Sequence, residues 1–301
     1  MRLLLFFVLT LILSACDNNN NPFVYQKDAH GRGNTNIYVE ESFRPLLTTS
    51  IATFMSQFPK ATIKAYYKNE DNILEAFYEN KTKTIVISRD FNEEEKAYLK
   101  SKNVTYRSDK IATDAVVLIM HPAMTDTILS VDQIKSLLSK NEALLPSKTE
   151  IKQIVFDQKG SANFNFITNI LQIDQLASRV SALNSNEQVI NYVKTHPNTI
   201  GIIGLNWIAD QDDPSSMAFM EGLNIASVYV NDVQTACKPY AGFIYTKEYP
   251  LIRDIWMINK GRRSGLNTGF VLFMKKDDKG QLIIQKSGLV PALTPIRLVL
   301  Q

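Results

Sequence analysis

Cysteine, histidine and runs of like charge are all scarce in this sequence. Its 301 residues include two cysteines, Cys16 and Cys237, too few for a disulfide framework. Three histidines, His30, His121 and His196, lie far apart without metal-ligand spacing, so neither a zinc finger nor a resident metal is expected. No block of Lys or Arg exceeds two residues and the net charge is +3, which leaves no electrostatic footprint for nucleic acid. Neither a Gly-x-Ser-x-Gly elbow nor a zinc-protease motif occurs, and Gly31-Arg32-Gly33 lacks both a third glycine and a preceding strand. No enzyme and no cofactor is therefore expected. What is present is a chain that is 45% hydrophobic, which excludes disorder throughout and suffices for one large or two medium domains.

The N-terminus reads as a targeting segment. Met1-Arg2 supplies a positive start and residues 3–13 are apolar except for Thr10. That run is far shorter than the roughly 20 residues of a spanning helix. It ends in Leu13-Ser14-Ala15-Cys16, an order that resembles the lipobox of bacterial lipoproteins. The resemblance implies that residues 1–15 are a signal peptide and that Cys16 carries the lipid, with acyl chains each contributing about 0.8 kcal/mol per buried CH₂ to membrane retention. Residues 16–34 then form a polar tether, and the mature protein faces the periplasm or the cell exterior.

From residue 35 onward, strand-like and helix-like stretches alternate, which argues for α/β layers. Residues 35–39 read as a strand, and Leu47, Ile51, Phe54, Met55 and Phe58 as one helix face ended by Pro59. A second unit follows with a strand at 61–67 and the stripe Ile73, Leu74, Phe77 and Tyr78. A third has a strand at 84–87 and a capping box at Asn92 and Glu95. Residues 111–120 are long enough to cross between domains, and a new series begins at Ser130-Val131-Asp132. It holds a strand at 151–156, a helix at 187–194 and strands at 199–204 and 225–230. A return crossing near 238–245 and helices at 249–257 and 269–284 complete the first domain. The expected division is 35–114 with 238–301 as domain I and 115–237 as domain II. Asp277-Asp278-Lys279-Gly280 is too short for a calcium loop and reads as a solvated turn.

Strand exits of this kind aim helix N-termini at one edge, where unpaired N–H groups and a partial positive charge favour an anion. Ser42, Asn69, Ser88, Ser161 and Asn163 stand at such starts. Each is equally an ordinary N-cap residue. Trp207 reads as core, Tyr66 and Tyr67 as strand residues on opposite faces, and Cys237 as a lone buried thiol.

Several segments, in order, resemble the PstS-like phosphate-type substrate-binding proteins of ABC transporters. They are Glu40-Glu41-Ser42-Phe43-Arg44-Pro45, Lys68-Asn69-Glu70-Asp71-Asn72-Ile73, Ser88-Arg89-Asp90, Gly160-Ser161-Ala162-Asn163, Ile200-Gly201-Ile202-Ile203-Gly204, Glu248-Tyr249-Pro250-Leu251 and Lys286-Ser287-Gly288-Leu289-Val290-Pro291. The resemblance implies an α/β, two-domain type II periplasmic-binding-protein-like fold with two interdomain crossings. It also implies ligand contacts from Ser42, Phe43, Asn69, Ser88, Arg89, Ser161, Ala162 and Asn163. A small inorganic anion, phosphate first, would be carried to an ABC transporter permease by a monomer anchored to the membrane through lipidated Cys16. Glu40, Glu41, Glu70 and Asp157 depart from the family pattern, and each carboxylate near a phosphate would oppose it. Arg89 could supply a bidentate cation or could pair with Asp90 or another neighbouring acid. The alternative is a surface or sensory lipoprotein that keeps the fold with a lost or altered ligand site.

Overall fold

The computed structural model describes residues 28–141, 145, 147–148, 150–230 and 235–293. Cys16, the expected signal peptide and most of the tether lie outside them. The first series is β1 (Arg32–Glu40), α1 (Arg44–Gln57), β2 (Lys60–Lys68), α2 (Glu70–Tyr78), β3 (Thr84–Ile87), α3 (Glu93–Ser101) and β4 (Arg107–Met120). Next come β5 (Ile128–Ser130), α4 (Val131–Ser139), β6 (Gln153–Phe156), α5 (Ala162–Ile170), β7 (Val180–Ala182) and α6 (Asn186–Thr195). The series continues with β8 (Thr199–Gly204), α7 (Pro214–Met220), β9 (Asn224–Ile225) and β10 (Ser227–Tyr229). The chain finishes with α8 (Ala241–Tyr245), β11 (Ile252–Asn259), α9 (Leu266–Lys276), α10 (Asp278–Lys286) and β12 (Val290–Pro291).

These elements form the expected α/β fold. The main sheet runs β2-β1-β3-β11-β4-β8-β6-β7, with β12 and β9 added on β4, and β5 pairs β10 separately. Strand β4 joins the two halves. Its residues from Arg107 to Ala115 pair β11, and those from Val116 to Met120 pair β8. The segment leading into β11 lies beside it, where the Val116 N–H donates to the Leu251 carbonyl at 2.9 Å and the Tyr249 hydroxyl donates to the Val116 carbonyl at 3.0 Å. Val116 to Met120 and all of β8 are buried, because central strands covered on both faces need apolar side chains on both. Gly201 is required in β8: a Cβ there would stand 2.7 Å from methyl groups of Val189 and Val193, so α6 lies directly on the strand.

Local signals explain most of the helix starts. Asn92 and Glu95 close the capping box expected for α3, and Ser130 with Gln133 closes another at α4. Pro45 stands in the first turn of α1, where its missing N–H costs nothing. Leu46, Leu47, Ile51 and Phe54 form the buried face of that helix.

Four expectations are corrected. Residues 249–257 are not a helix: Ile252–Asn259 is the strand β11, wedged between β3 and β4, and its inward residues Arg253, Ile255 and Met257 alternate. Residues 269–284 are two helices, since Asp277 ends α9 and caps α10 by accepting from the Lys279 N–H. The Asp277 cluster is therefore a helix start and not a free turn. Residues 225–230 are divided between β9 and β10. Among the described residues no helix is long and apolar enough to cross a membrane.

Candidate functional site

The exit of β1 is the centre of the arrangement. Glu40 ends the strand in extended conformation, a 3₁₀ turn covers Glu41–Phe43, and α1 follows. All four residues of the exit are buried, Glu40 to 1% exposure and Ser42 and Phe43 to zero. Four buried residues, two of them acidic, cannot be a solvated loop, so the other half of the chain must supply polar partners.

It does so at three points. The Ala162 N–H, first in α5, donates to Glu40 Oε1. Asn186, first in α6, donates from Nδ2 to Glu41 Oε2 at 2.7 Å. Asn206 Nδ2 and Trp207 Nε1 both donate to the Ser42 carbonyl, at 2.9 and 3.0 Å. Residues more than 120 positions apart thus meet, with Glu40, Glu41 and Ser42 on one side of the contact and Ala162, Asn186, Asn206 and Trp207 on the other.

Ser161 is the N-cap of α5, with its hydroxyl oxygen accepting from the Phe164 N–H at 3.1 Å. The same hydroxyl donates to Asp157 Oδ1 at 2.5 Å. Asp157 Oδ2 accepts from Asn163 Nδ2 at 3.2 Å and from Asn186 Nδ2 at 3.0 Å, and Asn163 Nδ2 also donates to Asn186 Oδ1 at 2.8 Å. Ser161 therefore caps α5 and ties it to Asp157 at once.

Charge near the contact is mostly negative. Burial pushes Glu40 up to about 8, against the pull of Arg253 and with help from Glu70 and Asp157. Burial also raises Asp157 to about 6, against the Ser161 hydrogen bond and with help from Glu41. Arg253 is the nearby cation. Its guanidinium lies 4.9 Å from the Phe43 ring centroid and binds Asp114 Oδ2 at 2.8 Å. Five buried polar atoms of the residues at this contact have no hydrogen-bond partner: Glu40 Oε2, Ser42 Oγ, Asn163 Oδ1, Asn206 Oδ1 and Arg253 Nη1. Among the described residues no group of three or more His, Cys, Asp and Glu could hold a metal ion, so the acids do not form a cation cage.

The remaining expected contacts lie differently. Asn69 caps α2, accepting from the Asn72 N–H at 3.1 Å, and it is Glu70 beside it whose charge reaches Glu40. Ser88 is half-buried at the exit of β3 but caps no helix, because Asn92 does that. Of the two roles open to Arg89, the geometry is that of an ion pair. Nε is 2.7 Å from Glu70 Oε1, and Nη1 and Nη2 bind both oxygens of Glu95 at 2.7 and 2.9 Å. Asp157 was legible only as a departure from the family pattern, whereas Asn186, Asn206 and Arg253 had no motif around them. Arg253 had one usable signal, a lone charge among alternating Ile255 and Met257. A cavity of about 660 Å³ lined by Leu205, Ile208, Met217, Leu223 and Tyr240 shares none of these site residues.

Comparison with known proteins fits this geometry. Residues 26–278 match the family model described as a PBP superfamily domain. No curated protein matches the chain. Among solved structures, a candidate phosphate ABC transporter substrate-binding protein of Clostridium perfringens, with bound phosphate, is 18% identical at a TM-score of 0.70. That match covers 86% of this chain and 99% of the other. An ABC-type phosphate transport receptor of Vibrio cholerae is 14% identical at 0.64, covering 87% and 100%. PstS of Borrelia burgdorferi is 19% identical at 0.55, covering 86% and 99%. At these identities the structures are evidence for the fold, and the family model, which spans most of the sequence, establishes that the chain belongs to the PBP superfamily.

Proposed function

We propose that the protein is an extracytoplasmic solute-binding protein, anchored by a lipid on Cys16, that captures a small oxyanion between two lobes for an ABC importer. The lobes are 35–114 with 238–301 and 115–237, joined by β4 and by the return crossing near 238–245. Phosphate is the first ligand to test, in line with the phosphate proteins that share the fold. One observation carries the reading. The Ala162 N–H at the start of α5 points across the lobe contact and is already bonded to a carboxyl oxygen. A helix N-terminus so placed holds an oxyanion with backbone donors alone. Ser42 and Ser161 hydroxyls, the Phe43 N–H and the Asn163 side chain complete the proposed contacts, and Arg253 supplies long-range positive charge. Closure of the lobes follows from a ligand that reaches both sides only in the closed form. No bond is made or broken.

A second reading, a surface or sensory lipoprotein with an altered site, is favoured by the Glu40 carboxyl on Ala162 and by the Asp157 carboxylate on Ser161. Calorimetry with phosphate, sulfate and small organic anions separates the two. Saturable binding of one of them supports transport, and no binding of any at millimolar concentration supports the altered site. Mass spectrometry of the N-terminal peptide checks the anchor, with loss of residues 1–15 and an acylated Cys16 as the expected result.

A further inference from the structure

We infer that the Glu40 carboxyl is a tethered competitor for the ligand, sitting on the Ala162 amide so that an oxyanion enters the site by displacing it. This rests on the oxyanion-binding reading above and adds the way in which the site is regulated.

Three observations carry it. Glu40 belongs to the first half of the chain and Ala162 to the second, so the bond between them occupies the lobe contact with a group from the protein itself. Only one oxygen of that carboxyl is satisfied, since Oε2 is buried without a partner, as is the neighbouring Ser42 hydroxyl. A buried polar atom left unpaired costs free energy, so this arrangement is poorly held and ready to be exchanged. Finally, the displaced carboxyl has a destination. Arg253 already attracts Glu40, and its Nη1 is buried without a partner. A ligand oxygen arriving at Ala162 gains that N–H and the Ser42 hydroxyl, while Glu40, kept protonated by the anion beside it, accepts from the guanidinium through its carbonyl oxygen.

Proton uptake is part of the exchange. The charged and titratable groups facing Glu40 are Arg253 on β11, Glu70 on α2 and Asp157 at the exit of β6. Arg253 is itself held by Asp114. Burial outweighs the attraction of Arg253, and Glu40 titrates at about 8. Below that value the neutral carboxyl is a weaker acceptor for the amide and does not repel an anion. Above it the carboxylate holds Ala162 and opposes the ligand. Oxyanion affinity therefore falls as pH rises through this range, by up to about tenfold per unit for one linked proton.

The test is calorimetric titration of inorganic phosphate into the full chain and into Glu40→Ala, at pH about 6 and about 9, on either side of the Glu40 transition. The ratio of the two affinities cancels the titration of phosphate itself. Expected is Glu40→Ala binding up to about tenfold tighter than the native chain at the higher pH, with the advantage shrinking to within about threefold at the lower one. The isosteric variant Glu40→Gln, which keeps the packing, removes the pH dependence that is specific to the native chain. Equal affinities for the native chain and both variants at both pH values overturn the inference and leave the oxyanion-binding reading standing. Weaker binding by Glu40→Ala at the higher pH also overturns it, by making Glu40 a ligand contact. Binding of phosphate by none of the three overturns both readings together.

Discussion

Arg253 and Asp114 stand directly opposite each other on β11 and β4 and form a buried ion pair, with Nε 3.0 Å and Nη2 2.8 Å from the same oxygen, Oδ2. The side chains are 2% and 0% exposed, so neither charge has water to fall back on. The pair lies where β4 turns from one half of the sheet to the other, and it positions the guanidinium against Phe43. Removing one partner leaves an uncompensated buried charge and is expected to cost about 3–5 kcal/mol. Asp114→Leu and Arg253→Met each show this in urea unfolding, and the double variant Asp114→Leu with Arg253→Met recovers a large part of the loss. Full additivity of the two single effects contradicts the pairing.

Stability also depends on pH through the acids of the lobe contact. Glu40 titrates at about 8 in the folded chain against 4.5 as its ordinary value, and Asp157 at about 6 against 3.8. Between those limits the folded chain holds a proton that the unfolded chain has released. Raising the pH through the window therefore destabilises the fold, by up to about 1.4 kcal/mol per unit for each group. The urea midpoint falls from pH 6 to pH 8 in the native chain, the upper part of the Glu40 window, and Glu40→Gln flattens that slope. A native midpoint that stays level or rises across this range contradicts the assignment.

Trp207 contributes a donor as well as a ring. Its Nε1–H bonds the buried Ser42 carbonyl, which Asn206 also satisfies. Trp207→Phe keeps the apolar packing and removes the donor, with an expected loss of about 1 kcal/mol because one partner remains. Adding Asn206→Leu leaves the carbonyl unpaired, and the combined loss exceeds the sum of the single ones. Strict additivity would show that the two donors do not share the acceptor.

Arg89 separates structural from ligand-binding roles. Its guanidinium binds Glu70, whose side chain is 9% exposed, and Glu95 of the α3 capping box. Arg89→Ala is expected to lower stability by about 1.5–3 kcal/mol, the range for hydrogen bonds to charged groups. Phosphate affinity should stay within about threefold of the native value, under 1 kcal/mol. A loss of tenfold or more in affinity would place Arg89 on the ligand.

Much of the fold was legible because its signals are local. The α3 capping box involves two residues three apart, and β8 is an unbroken apolar run bounded as expected at residues 199–204. The helix expected at 249–257 failed for a physical reason. Leu251, Ile255 and Ile258 fall at helical spacing, and the partly exposed face of β11 carries Ile252 and Trp256 beside Asp254, so apolar residues on both faces blur its alternation in the sequence. The site divided along the same line. Ser42 and Ser161 could be read as helix starts, and Ser161 is one. Their partners could not be read, since Asn186 and Trp207 lie 145 and 165 positions from the residues they bond.

The central claim is that an oxyanion is held at the start of α5, between Ser42 and Ser161. The most direct measurement is the amide resonance of Ala162 in isotopically labelled protein during titration with inorganic phosphate at neutral pH. A saturable shift of that resonance is expected, with the Phe43 amide moving in parallel on the facing lobe. Saturation of resonances elsewhere while Ala162 and Phe43 stay in place would contradict it.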